Sequence, residues 1–89
     1  MRFVWDERKA EANARKHGVT FEEAATVVLD PLALIVEDPR HPENARIIGL
    51  STAQRILLVV FVEQGEDVLR LISARRAKRH ERRRYEEGE

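Results

Sequence analysis

The order of apolar and polar positions predicts a strand, two helices, four further strands and a last helix. The stretch RFVW near the start is a short strand candidate. Two helical segments follow, DERKAEANARKHG and TFEEAATVVLDP. The second helix carries an apolar stripe at helical spacing, made of Phe21, Ala24, Ala25 and Val28. Such a stripe is typical of a helix that packs one face against a sheet.

Both predicted helices have local start and stop signals. Asp6 and Thr20 are suited to accept hydrogen bonds at the two N-termini, and Thr20 with Glu23 fits a capping box. Gly18 suits the position after the first helix, because glycine readily adopts the left-handed conformation that ends a helix. Pro31 ends the second helix, since proline cannot continue it.

Four consecutive strands are predicted in the second half of the chain. The segments are LALIVED, ARIIGLS, RILLVVFVEQ and DVLRLISAR, separated by RHPEN, STAQ and QGED. The unbroken ILLVVFV predicts a central strand covered on both faces. Short connections favour antiparallel pairing, so the helices must cover one face of the sheet. In the last strand, simple alternation places Arg70 on one face and Arg75 on the other.

These segments predict an α+β fold in a single domain, residues 1–89. An N-terminal strand and two helices pack on a mainly antiparallel four-stranded sheet, and a basic helix follows at the C-terminus.

The C-terminal segment Arg76–Glu87 predicts a helix whose charges oppose its dipole. Four basic residues between positions 75 and 79 stand near its positive end, and two glutamates stand near its negative end. Ala77, Glu81 and Tyr85 form the stripe that can face the sheet, and Ser73 is a candidate cap. A bound anion near the start of this helix would relieve the repulsion between its cations.

Charge is balanced in total but uneven along the chain. The sequence has 16 lysines and arginines against 16 aspartates and glutamates. Nine acidic residues face three arginines between positions 17 and 67, whereas eight basic residues face one acid between positions 70 and 84. This asymmetry favours an anionic partner for the C-terminal end, although a solvated basic face is the alternative. With no cysteine, no signal core and no apolar run of membrane-spanning length, we expect a cytoplasmic protein.

Several sequence motifs, taken in order, resemble those of a known family. They are W-D near the start, N-x-x-K-H-G-V-T-F-E-E-A, ENARIIG, and I-S-A-R-x-A followed by E-R-x-x-Y. From Phe3 to Glu86 the chain thus resembles the BrnT family of type II toxins. The resemblance implies a RelE-like ribonuclease that halts translation. We predict no cofactor and no membrane partner for this chain. It also implies a cognate antitoxin, BrnA-like and DNA-binding, which neutralises the toxin and carries it to operator DNA.

Metal-independent RNA cleavage requires three groups around one phosphate. The 2′-hydroxyl must lose a proton, the phosphorane must be stabilised, and the leaving 5′-oxygen must gain a proton. No carboxylate cluster in the sequence suits a two-metal mechanism, so we predict no metal site. Arginine suits phosphate because its planar guanidinium donates two parallel hydrogen bonds. The predicted catalytic residues are Arg46, Arg70, Arg75, Arg76, Glu81 and Tyr85, and the predicted RNA-binding residues are Arg55, Arg79 and Arg82.

The proton-transfer groups are ambiguous in the sequence. Glu81 suits a general base or an ion pair that holds the arginines, and Tyr85 suits a proton donor, a stacking platform or a packing residue. His80 lies off the predicted stripe, and His17 suits the C-terminus of its helix. No histidine–carboxylate pair is evident. The alternative function is a module that binds nucleic acid or an antitoxin without catalysis.

Overall fold

The computed structural model describes residues 1–88, which form a five-stranded sheet with three α-helices. The elements are β1 (Arg2–Val4), α1 (Glu7–His17), α2 (Phe21–Val28), β2 (Leu34–Val36), β3 (Ala45–Leu50), β4 (Ile56–Glu63), β5 (Val68–Arg76) and α3 (Arg79–Glu87). The predicted α+β class is therefore confirmed. In this part of the chain, no helix combines the length and apolar character needed to cross a membrane.

The sheet has the strand order β1-β5-β4-β3-β2. The neighbouring strands from β2 to β5 pair antiparallel, and β4 lies in the centre, as its apolar run predicted. The predicted count of four strands was wrong, because β1 joins the sheet as a fifth strand, parallel to β5. Phe3 of β1 pairs with Leu69 and packs against the core, so burial of its ring draws this three-residue strand into the sheet.

The main core lies between the sheet and helices α1 and α2, and we call this side of the sheet the core face. The ring of Trp5 meets that of Phe21 edge to face, with centroids 5.9 Å apart. Fully buried apolar side chains from α2, from the residue before its N-cap and from the sheet pack together here: Val19, Phe21, Ala24, Val27, Leu57, Val59 and Ala74. The opposite side of the sheet, which α3 partly covers, is called the α3 face.

The helix caps form largely as the sequence predicted. The Asp6 carboxylate accepts hydrogen bonds from two backbone N–H groups of the first turn, and Gly18 ends α1 at φ 69°. The Thr20 hydroxyl accepts from the Glu23 N–H at 3.1 Å. The second half of the predicted capping box is absent, because the Glu23 carboxylate binds Arg55 and Ser51 instead.

A β-bulge in β5 decides which arginines share a face. Val60 pairs with Ser73, but the next β4 residue, Phe61, pairs with Leu71, so Ile72 is an extra residue in the ladder. The predicted alternation across β5 was therefore wrong. Arg70 and Arg75 both lie on the α3 face, because the inserted residue shifts the alternation by one position.

Helix α3 begins three residues later than predicted, because β5 continues to Arg76. Lys78 is the N-cap residue, and its backbone N–H donates to the Glu81 carboxylate at 2.7 Å. The prediction that Ser73 caps this helix was wrong, since Ser73 lies inside β5. The residues of the predicted stripe do face the sheet, although Ala77 precedes the helix. Ala77 and Tyr85 pack against a small cluster of Val36, Ile48 and Leu58.

Candidate active site

A polar cleft of about 510 Å³ opens on the α3 face, beside the loop between β2 and β3. Three of its lining residues are arginines, two from strands and one from the loop, so the cleft is positively charged. The apolar floor comes from β4. The full lining is Asp38, Arg40, His41, Arg46, Leu58, Val60 and Arg75.

Arg75, in the wall of the cleft, forms a partly buried ion pair with Glu81. The two guanidinium nitrogens Nη1 and Nη2 of Arg75 lie 2.8 and 2.9 Å from the two oxygens of Glu81, which is a bidentate arrangement. Arg46 approaches the same carboxylate, with Nη2 3.7 Å from Oε2. The Glu81 side chain is 8% exposed, whereas both arginines keep about a quarter of their side-chain surface exposed. Glu81 thus holds two cations at the edge of the cleft.

The environment of Glu81 favours its charged form. Burial alone would raise the pKa of this carboxyl, but the hydrogen bonds from Arg75 and from the Lys78 backbone outweigh burial and lower the pKa to about 2. The carboxylate is therefore ionised near neutral pH. The ion pair that the sequence left open as one role for Glu81 is present, and a carboxylate of such low pKa is a weak proton acceptor.

Tyr85 anchors the C-terminal half of α3 through a second carboxylate. Its hydroxyl donates to Asp30 Oδ2 at 2.6 Å, and Asp30 also accepts from the backbone N–H of Leu50 and Leu32. This hydrogen bond, with burial, raises the pKa of Tyr85 to about 12. The sequence did not indicate Asp30 as the partner of Tyr85, because there it is only an acidic residue before Pro31. The packing role proposed for Tyr85 has a clear structural basis.

Arg55 and Arg76 lie away from the cleft. The Arg55 guanidinium donates from Nε to Glu23 at 2.9 Å and from Nη2 to the Gly18 carbonyl at 3.0 Å. Arg76 pairs with the buried Leu57 in the ladder, which places it on the core face. The hydrogen bond from Arg55 is the main cause that lowers the pKa of Glu23, and the charge of Arg76 adds to it. These two arginines therefore share a different carboxylate from Arg75.

Three other predicted residues lie outside the cleft lining. Arg70 lies on the α3 face opposite Val62, which is roughly 13 Å along β4 from the residue opposite Arg75. Arg79 and Arg82 are exposed on α3. The structure thus brings Arg46, Arg75 and Glu81 of the predicted set together. Of the predicted residues, Arg46 and Arg75 line the cleft.

The β2–β3 loop supplies cleft residues that sequence reasoning missed. Asp38, Arg40 and His41 line the cleft, and His41 Nδ1 lies 3.4 Å from Glu43 Oε1. His41 and Glu43 therefore form a histidine–carboxylate pair, which the sequence did not predict. The two residues are close in sequence, but only the folded loop shows that they border a cationic cleft. Among residues 1–88, no three histidine, aspartate or glutamate side chains are grouped to hold a metal ion.

Comparisons with known proteins agree with this architecture. The family model described as "Ribonuclease toxin, BrnT, of type II toxin-antitoxin system" matches residues 5–81. The 1.1 Å crystal structure of the Brucella abortus ribonuclease toxin, BrnT, is similar, with a TM-score of 0.72 and 27% sequence identity. The match covers 89% of this chain and 99% of that chain. No curated protein sequence matches this chain.

Proposed function

Because this chain belongs to the BrnT family of ribonuclease toxins of type II toxin–antitoxin systems, we propose that it cleaves RNA without metal in the cleft on the α3 face. The observation that carries this proposal is the bidentate Arg75–Glu81 pair at the cleft wall. Arg75 is a cation that a buried carboxylate holds in place, and it lines the cleft together with two further arginines.

The reaction needs stabilised negative charge more than any other contribution. Attack of the 2′-oxygen on phosphorus forms a phosphorane that carries additional charge on its oxygens. Arg75 and Arg46 are the donors that we assign to these oxygens. Arg75 is oriented before substrate arrives, because both of its terminal nitrogens are bound to Glu81, and a preorganised donor needs no rearrangement in the transition state.

The remaining predicted residues take supporting roles in this proposal. Glu81 positions the two arginines, and Tyr85 holds α3 on the sheet through Asp30. Arg70, Arg79 and Arg82 contact flanking phosphates, where their charge raises affinity without entering the chemistry. Arg55 and Arg76 stand outside the proposal, since they lie with Glu23 on the other side of the sheet.

The partner of a type II toxin is an antitoxin. We propose that this antitoxin is BrnA-like and DNA-binding, that the complex reaches operator DNA through it, and that both proteins act in the cytoplasm. Expression of this chain alone should arrest growth, and co-expression of the adjacent open reading frame should restore it. Growth arrest that the neighbouring gene does not relieve would contradict this partner.

The activity is tested with purified protein and RNA in the presence of EDTA. We expect cleavage that Arg46→Ala lowers by about 10²- to 10³-fold, comparable to the loss of one oxyanion donor. Arg15→Ala removes an exposed cation from α1 and is the charge-matched control. Cleavage that requires added Mg²⁺ would contradict the metal-independent mechanism. Salt-sensitive binding that leaves RNA intact would favour the alternative of a non-catalytic module.

Arg75 needs a paired variant, because its removal alone leaves the buried Glu81 carboxylate without its bidentate partner. Arg75→Ala with Glu81→Gln removes both charges and avoids that penalty. We expect this double variant to fold, as judged by circular dichroism, and to lose cleavage. A folded double variant with wild-type activity would overturn the assignment of Arg75.

A further inference from the structure

We propose that His41 is the general acid that protonates the leaving 5′-oxygen during RNA cleavage. This inference rests on the proposed function and adds the proton donor that Arg46 and Arg75 cannot supply. Arginine stays protonated under all ordinary conditions, so the cleft needs another group that both holds and releases a proton.

The position of His41 suits this role. It lines the same cleft as Arg46 and Arg75, and its side chain is 59% exposed, so substrate in the cleft can reach it. Nδ1 faces Glu43 Oε1 at 3.4 Å, which leaves Nε2 as the nitrogen available to RNA. Asp38 and Arg40 from its own loop, Arg46 from β3 and Arg75 from β5 are the charged residues that line the cleft with it. Glu43 lies beside its Nδ1.

The other candidate donors are already engaged. The Tyr85 hydroxyl binds Asp30 at 2.6 Å, and this contact raises the pKa of Tyr85 to about 12. Glu81 is ionised and accepts hydrogen bonds from Arg75, so it carries no proton to donate. Imidazole is the side chain that gains and loses a proton most readily near neutral pH, and His41 is the histidine in the cleft lining.

The step balances with one proton donated and one released. The 2′-hydroxyl loses its proton to water as the bond between the 2′-oxygen and phosphorus forms. The bond between phosphorus and the 5′-oxygen breaks, and the Nε2 proton of His41 passes to that oxygen. The products are a 2′,3′-cyclic phosphate and a 5′-hydroxyl, and the imidazole regains a proton from solvent. The Glu43 carboxylate stays beside Nδ1 and takes no part in this transfer.

A modified leaving group tests this assignment directly. The substrate is an oligoribonucleotide whose 5′-bridging oxygen, at the bond that the wild-type protein cuts, is replaced by sulfur. A thiolate leaves without a proton, so loss of a general acid has little effect on this substrate. We expect His41→Gln to slow cleavage of ordinary RNA by about 10²- to 10⁴-fold, as for loss of general acid catalysis. The same variant should cleave the sulfur substrate within about tenfold of wild type, by the same reasoning.

The chain provides matched controls, because it contains three histidines. His17→Gln and His80→Gln should cleave both substrates at the wild-type rate. The acid role would be overturned if His41→Gln cleaved ordinary RNA at the wild-type rate, or if it lost the same fraction of its rate on both substrates. Either result would leave the cleavage activity itself established. A wild-type protein that leaves ordinary RNA intact would instead overturn the proposed function, and this inference with it.

Discussion

Asn13 and Ala74 exchange two hydrogen bonds although they are 61 positions apart in the chain. Asn13 Nδ2 donates to the Ala74 carbonyl at 2.8 Å, and the Ala74 N–H donates to Asn13 Oδ1 at 3.1 Å. Strand β1 pairs with β5 only as far as Arg70, so no strand adjoins Ala74 on that side. The buried amide takes the place of the missing strand just after the bulge. It thereby holds the part of β5 that turns Arg75 toward the cleft.

Asn13→Leu should destabilise the protein by about 2–4 kcal/mol. The change keeps a similar volume but removes both bonds to Ala74 and a third bond to the Val19 carbonyl, which leaves buried backbone groups unsatisfied. Urea unfolding measures the loss. Glu11→Leu, an exposed change on the same helix, is the control and should have little effect on the free energy of unfolding.

Gly49→Ala should destabilise the protein by about 1–3 kcal/mol, because the core has no room for a methyl group there. An added Cβ would lie 2.9 Å from Val27 Cγ1, 3.1 Å from Ala33 Cβ and 3.2 Å from Asp30 Oδ2. Val27→Ala removes the nearest of these atoms. In a double-mutant cycle, the combined variant should therefore lose less stability than the sum of the two single changes. Simple additivity would show that the contact with Val27 is not the cause.

Glu81→Gln should lower stability by an amount that depends on pH. The pKa of Glu81 falls from 4.5 to about 2 on folding, so the unfolded chain binds its proton more readily. The contribution of the ion pair is complete above about pH 5 and is lost as the pH falls through the range from 4.5 to about 2. At neutral pH it is on the order of 3 kcal/mol. Unfolding of both proteins across this range should show a difference that shrinks in acid, whereas a constant difference would contradict this linkage.

Tyr85 is the one tyrosine in the chain, so its titration can be followed by tyrosinate absorbance. We expect a midpoint near 12 in the wild type and a lower value in Asp30→Asn, because the change removes the hydrogen bond to a carboxylate and the negative charge, both of which oppose ionisation. The folded pKa is raised, so the hydrogen bond stabilises the fold below pH 10 and is lost as the pH rises toward 12. Tyr85→Phe should cost about 1–3 kcal/mol at neutral pH. An unchanged midpoint in Asp30→Asn would contradict the link.

Local signals in the sequence were enough for the elements and for the fold class. Asp6, Thr20 and Gly18 act on groups within a few positions. Glu81 and Tyr85 share one face of α3 because of helix geometry, whereas Ala77 lies before the helix. The unbroken apolar run of β4 indicated a central strand, because a strand that is buried on both faces needs apolar side chains at successive positions. The edge strand β1 was assigned as a strand but not placed in the sheet, since three residues carry little pattern.

The arrangement of the cleft depended on contacts between distant segments. The alternation predicted along β5 failed at the bulge, because one inserted residue reverses the face of every position after it. Asn13, which binds β5 at Ala74 just after the bulge, lies 61 positions away in the chain. The sequence by itself determined which segments become helices and strands and that cations crowd the C-terminal end. Only the tertiary structure decided that Arg75 binds Glu81 and shares a cleft with His41, while Arg76 lies on the core face. The partners of a side chain depend on strand register and loop folding, which local patterns do not specify.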